Sequence, residues 1–213
     1  ILFRVRGRDL DREFRLTMPG LFNVENALAA IAVCQGLGIP QRCVYAGLEK
    51  ARVPGRMEVY SNADETITAI VDFAHNRMSF ENLCRSARAE YPGRRVVSVF
   101  GSVGSKAQDR RQDLGEIGGQ YSDLVVVTED DSEGEDTLDI CREIASFVEK
   151  QGCPCTIEPN RGEAIRQAVL GSRKPTILLI AGKGDETYQK RGNEYVETPT
   201  DAEYVQSFLR EYD

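Results

Sequence analysis

The sequence has a single histidine, no apolar run near the roughly 20 residues that cross a bilayer, and no Walker A loop of the form G-x-x-x-x-G-K-[ST]. Each lack removes a class of function. Without a long apolar run there is no membrane insertion to expect, and no basic start with an apolar middle and a small-residue cleavage site marks a secretory leader. One histidine, with Cys153 and Cys155 only one residue apart, does not supply the ligand spacing of a zinc site, so no metal site is expected. A basic excess is also missing. Lys and Arg number 27 against 34 Asp and Glu, a net charge of -7, which argues against a nucleic-acid partner. An initiating Met is absent too; the chain opens ILFRV, and reads as a fragment. Cys34, Cys84 and Cys141 fall in helical patterns as small apolar side chains, and reduced thiols without a targeting segment point to the cytoplasm.

What is present is a globular composition, 41% hydrophobic and 29% charged, over 213 residues, enough for one complete domain plus part of another. The opening stretch predicts two short strands, Leu2–Val5 and Glu13–Leu16, then two helices. Asn23 is placed to cap the first helix, and the second follows Pro40. From Arg56 onward, apolar strand-like runs at 67–73, 96–100, 124–128, 155–158 and 176–181 alternate with helical stripes. The stripes are Phe80/Leu83/Cys84/Ala87, Leu138/Cys141/Ala145/Val148 and Ile165/Ala168/Val169, and Asn160/Glu163 and Thr200/Glu203 have capping-box spacing. Such alternation predicts an α/β fold, a mostly parallel sheet with helices on both faces, whose ligands meet the loops beyond the strands' carboxyl ends.

Four of those loops concentrate unusual residues. VDFAHN carries Asp72, His75 and Asn76; it reads either as a turn with a helix-capping Asn or as a functional pair. FGSVGSKAQDRR frees the backbone at Gly101 and Gly104 and adds Lys106, Arg110 and Arg111, an anion site or a plain glycine turn. TEDDSEGED contains Asp130, Asp131 and Glu133 within an acidic run from Glu129 to Asp136. It reads as a solvated charge run or as a holder for an ammonium group. AGKGDETYQ puts Gly182, Lys183, Gly184, Asp185 and Glu186 just past a strand, which favours a ligand loop over a plain turn.

In order and spacing, MPGLFNVENALAA, VPGRMEV, VDFAHN, the FGSVG loop and LLIAGKGDETYQ resemble the Mur ligase family, most closely the members that add the third residue of the peptide stem. The resemblance covers nearly the whole chain. It implies that residues 1–53 are the C-terminal tail of a central ATP-binding domain, and that residues 54–213 form the Rossmann-like third domain, which closes over ATP and the incoming amino acid. It implies an ATP-dependent ligase acting through an acyl phosphate on UDP-N-acetylmuramoyl-L-alanyl-D-glutamate. The substrates would be that UDP-muramoyl dipeptide and an amino acid, with ATP and Mg2+ held mostly by the part not in this chain. The fragment alone would be inactive and the protein a monomer. Carried across position by position, Asn23, Asn26, Arg56, Asp72, His75 and Asn76 fall on the nucleotide side. Lys106, Arg110, Arg111, Asp130, Asp131, Glu133, Gly182, Lys183, Asp185 and Glu186 fall on the amino-acid side.

Three motifs depart from the family pattern. Diaminopimelate-adding members carry Asn-Pro-Arg where this chain has Asp131, Ser132 and Glu133, so the arginine that meets the second carboxylate is an acid here, which favours lysine. Lys106 stands for an arginine and loses its bidentate geometry. Asp185 stands for a histidine. Two other readings stay open: a different Mur-type or folylpolyglutamate-type ligase, and a non-catalytic nucleotide-sensing module of the same fold.

Overall fold

The computed structural model describes residues 1–7, 10–173 and 175–213. The chain divides into two compact units, Ile1–Val53 and Pro54–Asp213. In the first, β1 (Leu2–Gly7) and β2 (Leu10–Arg15) form an antiparallel hairpin, followed by α1 (Phe22–Gly36) and α2 (Gln41–Lys50). Phe14, Leu16, Ala27, Ile31, Val44 and Leu48 make its small core. The hairpin runs beyond the apolar pattern because backbone pairing also carries exposed polar residues, among them the Arg4–Asp11 ion pair at 2.6 Å. Asn23 is not the helix cap. Leu21 holds that position, and Asn23 sits buried in the first turn, donating to the Pro19 carbonyl (2.7 Å) and accepting from Asn26 Nδ2 (3.0 Å).

The second unit runs β3 (Glu58–Ser61), β4 (Ile67–Asp72), α3 (Arg77–Glu90), β5 (Arg95–Phe100), α4 (Asp109–Tyr121), β6 (Leu124–Val127), α5 (Thr137–Lys150), β7 (Cys155–Ile157), α6 (Arg161–Leu170) and β8 (Thr176–Ala181). A hairpin, β9 (Tyr188–Arg191) with β10 (Glu194–Glu197), and then α7 (Asp201–Tyr212) complete it. The main sheet has the order β3-β4-β8-β5-β6-β7, with β3 antiparallel and the other pairings parallel. β4 and β8 are buried along their whole length, as strands covered on both faces must be.

On one face Ile165, Ala168 and Val169 of α6 and Val205 and Leu209 of α7 pack on Ile67, Ala69, Val97, Leu178 and Ile180. On the other, α3 and α4 bring Phe80 to 4.8 Å from Phe100 and Gly118 against Phe100 and Val125. The α5 stripe is Ile140, Cys141, Ile144, Ala145 and Val148, while Leu138 lies one turn too early and is exposed. Cys84 and Cys141 are buried; Cys34 is half-buried. Asn160 and Thr200 cap α6 and α7, and Thr200 also forms the reciprocal box with Glu203. Burying this apolar surface is the main force holding the sheet and helices together.

Because β8 lies between β4 and β5, the loops leaving β4, β8, β5 and β6 open side by side along one edge of the sheet. That edge is where a doubly covered parallel sheet places its ligands.

Candidate functional site

At the end of β4, Asp72 is buried and accepts a hydrogen bond from the Met57 amide (2.9 Å). Burial pushes its carboxyl above the usual range, opposed by that amide and by the nearby Arg56 charge. The exposed Arg56 guanidinium lies 4.6 Å from the centre of the Phe73 ring, and Phe73 meets His75 edge-on at 4.9 Å. His75 Nδ1 lies 2.8 Å from the Phe73 carbonyl; an oxygen of that kind can only accept, so Nδ1 carries a proton. Asn76 caps α3 in a capping box with Ser79. The turn reading and the clustering of Arg56, Asp72 and His75 are therefore both present. Gly55 and Gly184, both in the left-handed region, press backbone to backbone, since a Cβ on Gly55 would stand 2.4 Å from the Asp185 amide. This contact joins the GRME turn to the GKGDE loop.

The β5 and β6 loops are equally close. A Cβ on Gly101 would meet the Thr128 carbonyl at 2.3 Å, one on Gly104 would meet the Ser132 carbonyl at 1.9 Å, and the Gly104 amide donates to Asp131 O (2.8 Å). The glycines of FGSVG are thus required by the neighbouring acidic loop rather than by a ligand alone. Arg110 and Arg111 belong to the first turn of α4. Arg110 is half-buried with no ion pair among the described residues. Arg111 is buried between Glu135 and Glu143 (2.8 and 2.7 Å), as a strut between α4, the β6 loop and α5.

The acidic run is not a free, solvated cluster. Glu129 and Asp130 are buried. Glu129 binds Arg191 through both oxygens (3.0 and 2.7 Å), and Asp131 accepts from Lys183 Nζ (2.7 Å) and the Lys190 amide (2.9 Å). Glu133 accepts from Lys106 (2.7 Å) and Lys190 (3.4 Å), and Asp136 caps α5. Lys106 and Lys190 hold Glu133 below the usual carboxylate range, the hydrogen bond from Lys106 counting most. Burial raises Asp130, against the pull of the Arg161 and Lys183 charges. Lys183 is buried, 2.7 Å from both Asp131 and Glu186 and 4.7 Å from the centre of the Tyr188 ring. Burial opposes its charge, but the two carboxylates outweigh burial and raise its pKa. Asp185 is exposed at the tip, and Gly182, with φ 114, brings its backbone to the Asp130 carboxylate.

Several participants escaped the sequence reading. Lys190 and Arg191 come from the β9–β10 hairpin, whose one local signal is the two-residue Gly192–Asn193 turn between short polar strands. Arg161 and Asp201 open α6 and α7 and form a buried pair beneath the loops. Their only sequence signal is a charged residue directly after each capping residue. Asn23 and Asn26 lie in the first unit, bonded to one another.

Residues 55–184 match the family model described as Mur ligase, glutamate ligase domain. The chain is 35% identical over 196 residues to the UDP-N-acetylmuramoyl-L-alanyl-D-glutamate--2,6-diaminopimelate ligase of Caldanaerobacter subterraneus subsp. tengcongensis, covering 92% of this chain and 40% of the relative. It is 37% identical over 178 residues to the corresponding L-lysine ligase of Enterococcus faecalis, covering 83% and 35%. A solved diaminopimelate ligase of the same description superposes with a TM-score of 0.69 at 23% identity, over 99% of this chain and 42% of that one. The chain therefore spans about two fifths of the length of the relatives it matches. The extent of the family match places it: the chain belongs to the Mur ligase family.

Proposed function

We propose that this chain is the amino-acid-positioning part of an ATP-dependent ligase that joins a third amino acid, L-lysine, to UDP-N-acetylmuramoyl-L-alanyl-D-glutamate. The observation that carries the reading is the convergence of the β4, β8, β5 and β6 loops on one sheet edge inside the region matched by the family model. ATP would transfer its γ-phosphoryl group to the dipeptide's free carboxylate. The α-amine of the amino acid would then attack that carbonyl and expel phosphate. Such chemistry depends on positioning and on fixed charges more than on covalent help from side chains.

The β4 corner suits the nucleotide, with an exposed guanidinium on an aromatic ring and a histidine beside it. As the resemblance implies, Mg2+ would be held mostly by residues outside this chain. In this reading Asn23 and Asn26 also belong to the nucleotide side.

Lysine is favoured over diaminopimelate by Glu133. Its carboxylate stands where the resemblance places an arginine, and it already accepts an ammonium, that of the largely exposed Lys106. A substrate ammonium can replace Lys106 there, whereas a second substrate carboxylate would face Glu133 across a closed site. The test is ligation by the full-length protein supplied with ATP, UDP-muramoyl dipeptide and a panel of amino acids, read as product mass. A UDP-muramoyl tripeptide containing lysine is expected. A UDP-muramoyl tripeptide formed only with another amino acid of the panel, or no tripeptide at all, would overturn the assignment.

A further inference from the structure

Arg161 is buried at the first position of α6, and all three nitrogens of its guanidinium are hydrogen-bonded. Nε and Nη2 grip Asp201 at 2.6 and 2.7 Å, Nη1 donates to the Glu129 carbonyl (3.1 Å), and Nη2 donates to the Ala181 carbonyl (2.9 Å). Glu129 follows β6 and Ala181 ends β8, two strands that are not neighbours, since β5 runs between them. One side chain therefore spans three strands and ties the roots of two loops. Directly beyond those carbonyls lie Asp130–Asp131 and Gly182–Lys183, and the loops meet again where Lys183 reaches Asp131 at 2.7 Å.

Stability alone is a poor reason for this arrangement. A buried ion pair returns little over an apolar pair of the same shape. A cation at the first position of a helix also opposes the helix dipole. What Arg161 offers that an apolar side chain cannot is a fixed separation between two carbonyls, set by a rigid planar fork.

We propose that Arg161 is a positioning residue for the amino-acid end of the site, setting the distance between the β6 and β8 loops so that Lys183 and Asp131 stay in register. The role in catalysis rests on the ligase reading above; the tie itself does not. Asp201 orients the guanidinium, and among the described residues neither loop root is one of its hydrogen-bond partners.

Two measurements test this. In the 213-residue chain, amide hydrogen exchange is compared for wild type, Arg161→Lys and Asp201→Asn. A lysine ammonium is too compact to hold both carbonyls, so Arg161→Lys speeds exchange at 129–136 and 182–187 and leaves the 72–76 loop unchanged. Asp201→Asn keeps an acceptor for the guanidinium, and lowers the melting temperature without that loop-specific pattern. In the full-length protein, Arg161→Lys raises KM for the amino acid roughly tenfold to a hundredfold, as a misplacement near 1 Å does, while KM for ATP stays within about twofold. Unchanged exchange in both loops overturns the proposal whatever the enzyme does. So does a parallel rise in both KM values, or the same kinetic change in Asp201→Asn, because either marks general loosening. If exchange responds as described but wild-type full-length protein ligates no amino acid, the ligase reading fails and the tie stands.

Discussion

Gly101→Ala isolates the contact between the β5 and β6 loops. The φ of Gly101 lies outside the left-handed region, so alanine brings no backbone strain of its own, only a methyl group. That methyl would stand 2.3 Å from the Thr128 carbonyl and 2.8 Å from the Asp130 amide. Ordinary van der Waals separation is about 3.5 Å, so the acidic loop must retreat by roughly 1 Å. The neighbouring hydrogen bond from the Thr128 amide to the Phe100 carbonyl (3.0 Å) is strained by the same shift. Overpacking costs about 1–3 kcal/mol and a weakened hydrogen bond about 1 kcal/mol, together about 2–4 kcal/mol. For a unit of this size that is a fall in melting temperature of roughly 5–10 °C, read by circular dichroism. The matched control is Gly47→Ala, exposed within α2 with nothing near its Cβ direction, which should gain up to about 1 kcal/mol from helix propensity. A Gly101→Ala chain that melts with wild type, or a destabilised Gly47→Ala, would refute the reasoning.

Lys183→Met removes the ammonium that Asp131 and Glu186 share. Both carboxylates keep some access to water, so the loss should be about 1–3 kcal/mol in urea unfolding; no loss would mean the bridge is incidental. Asp130 supplies a pH test. Burial raises its folded pKa above the unfolded value, so ionising it costs stability: its contribution is complete below the unfolded pKa, near 3.8, and is lost as pH rises through the folded pKa. Wild type should therefore gain on Asp130→Asn as pH falls across that window, and a constant difference in urea midpoint would contradict the sign. In the full-length protein, Arg56→Ala and His75→Ala should each raise KM for ATP with the melting temperature nearly unchanged; unaltered kinetics in both would leave these residues as turn formers.

The sheet was legible because β4 and β8 are continuous apolar runs, and a doubly buried parallel strand leaves that mark in any sequence. The hairpin β9–β10 left no such mark. Its residues are polar, and what holds it is pairing between Arg191 and Glu129 and between Lys190 and Glu133, partners far away in the chain. For the same reason the loop from Glu129 to Asp136 reads as a bare acidic run, although every cation that answers it comes from another segment. Arg111 reads as a ligand-facing cation, yet its partners Glu135 and Glu143 enclose it. Charge in a sequence shows sign and spacing; only the fold shows which charges have already met. The Asn23 cap failed on a smaller scale, because α1 starts one residue ahead of it.

The choice of amino acid is tested most directly by the ratio of kcat/KM for L-lysine and meso-diaminopimelate, measured on the full-length protein and on Glu133→Arg. If Glu133 lines the amino-acid site as proposed, the second carboxylate of diaminopimelate would meet an acid, and an unpaired charge of that kind costs a few kcal/mol. The expected result is a preference for lysine of roughly a hundredfold or more, sharply reduced or reversed in Glu133→Arg. A wild-type preference for diaminopimelate, or a ratio that Glu133→Arg leaves untouched, would contradict it.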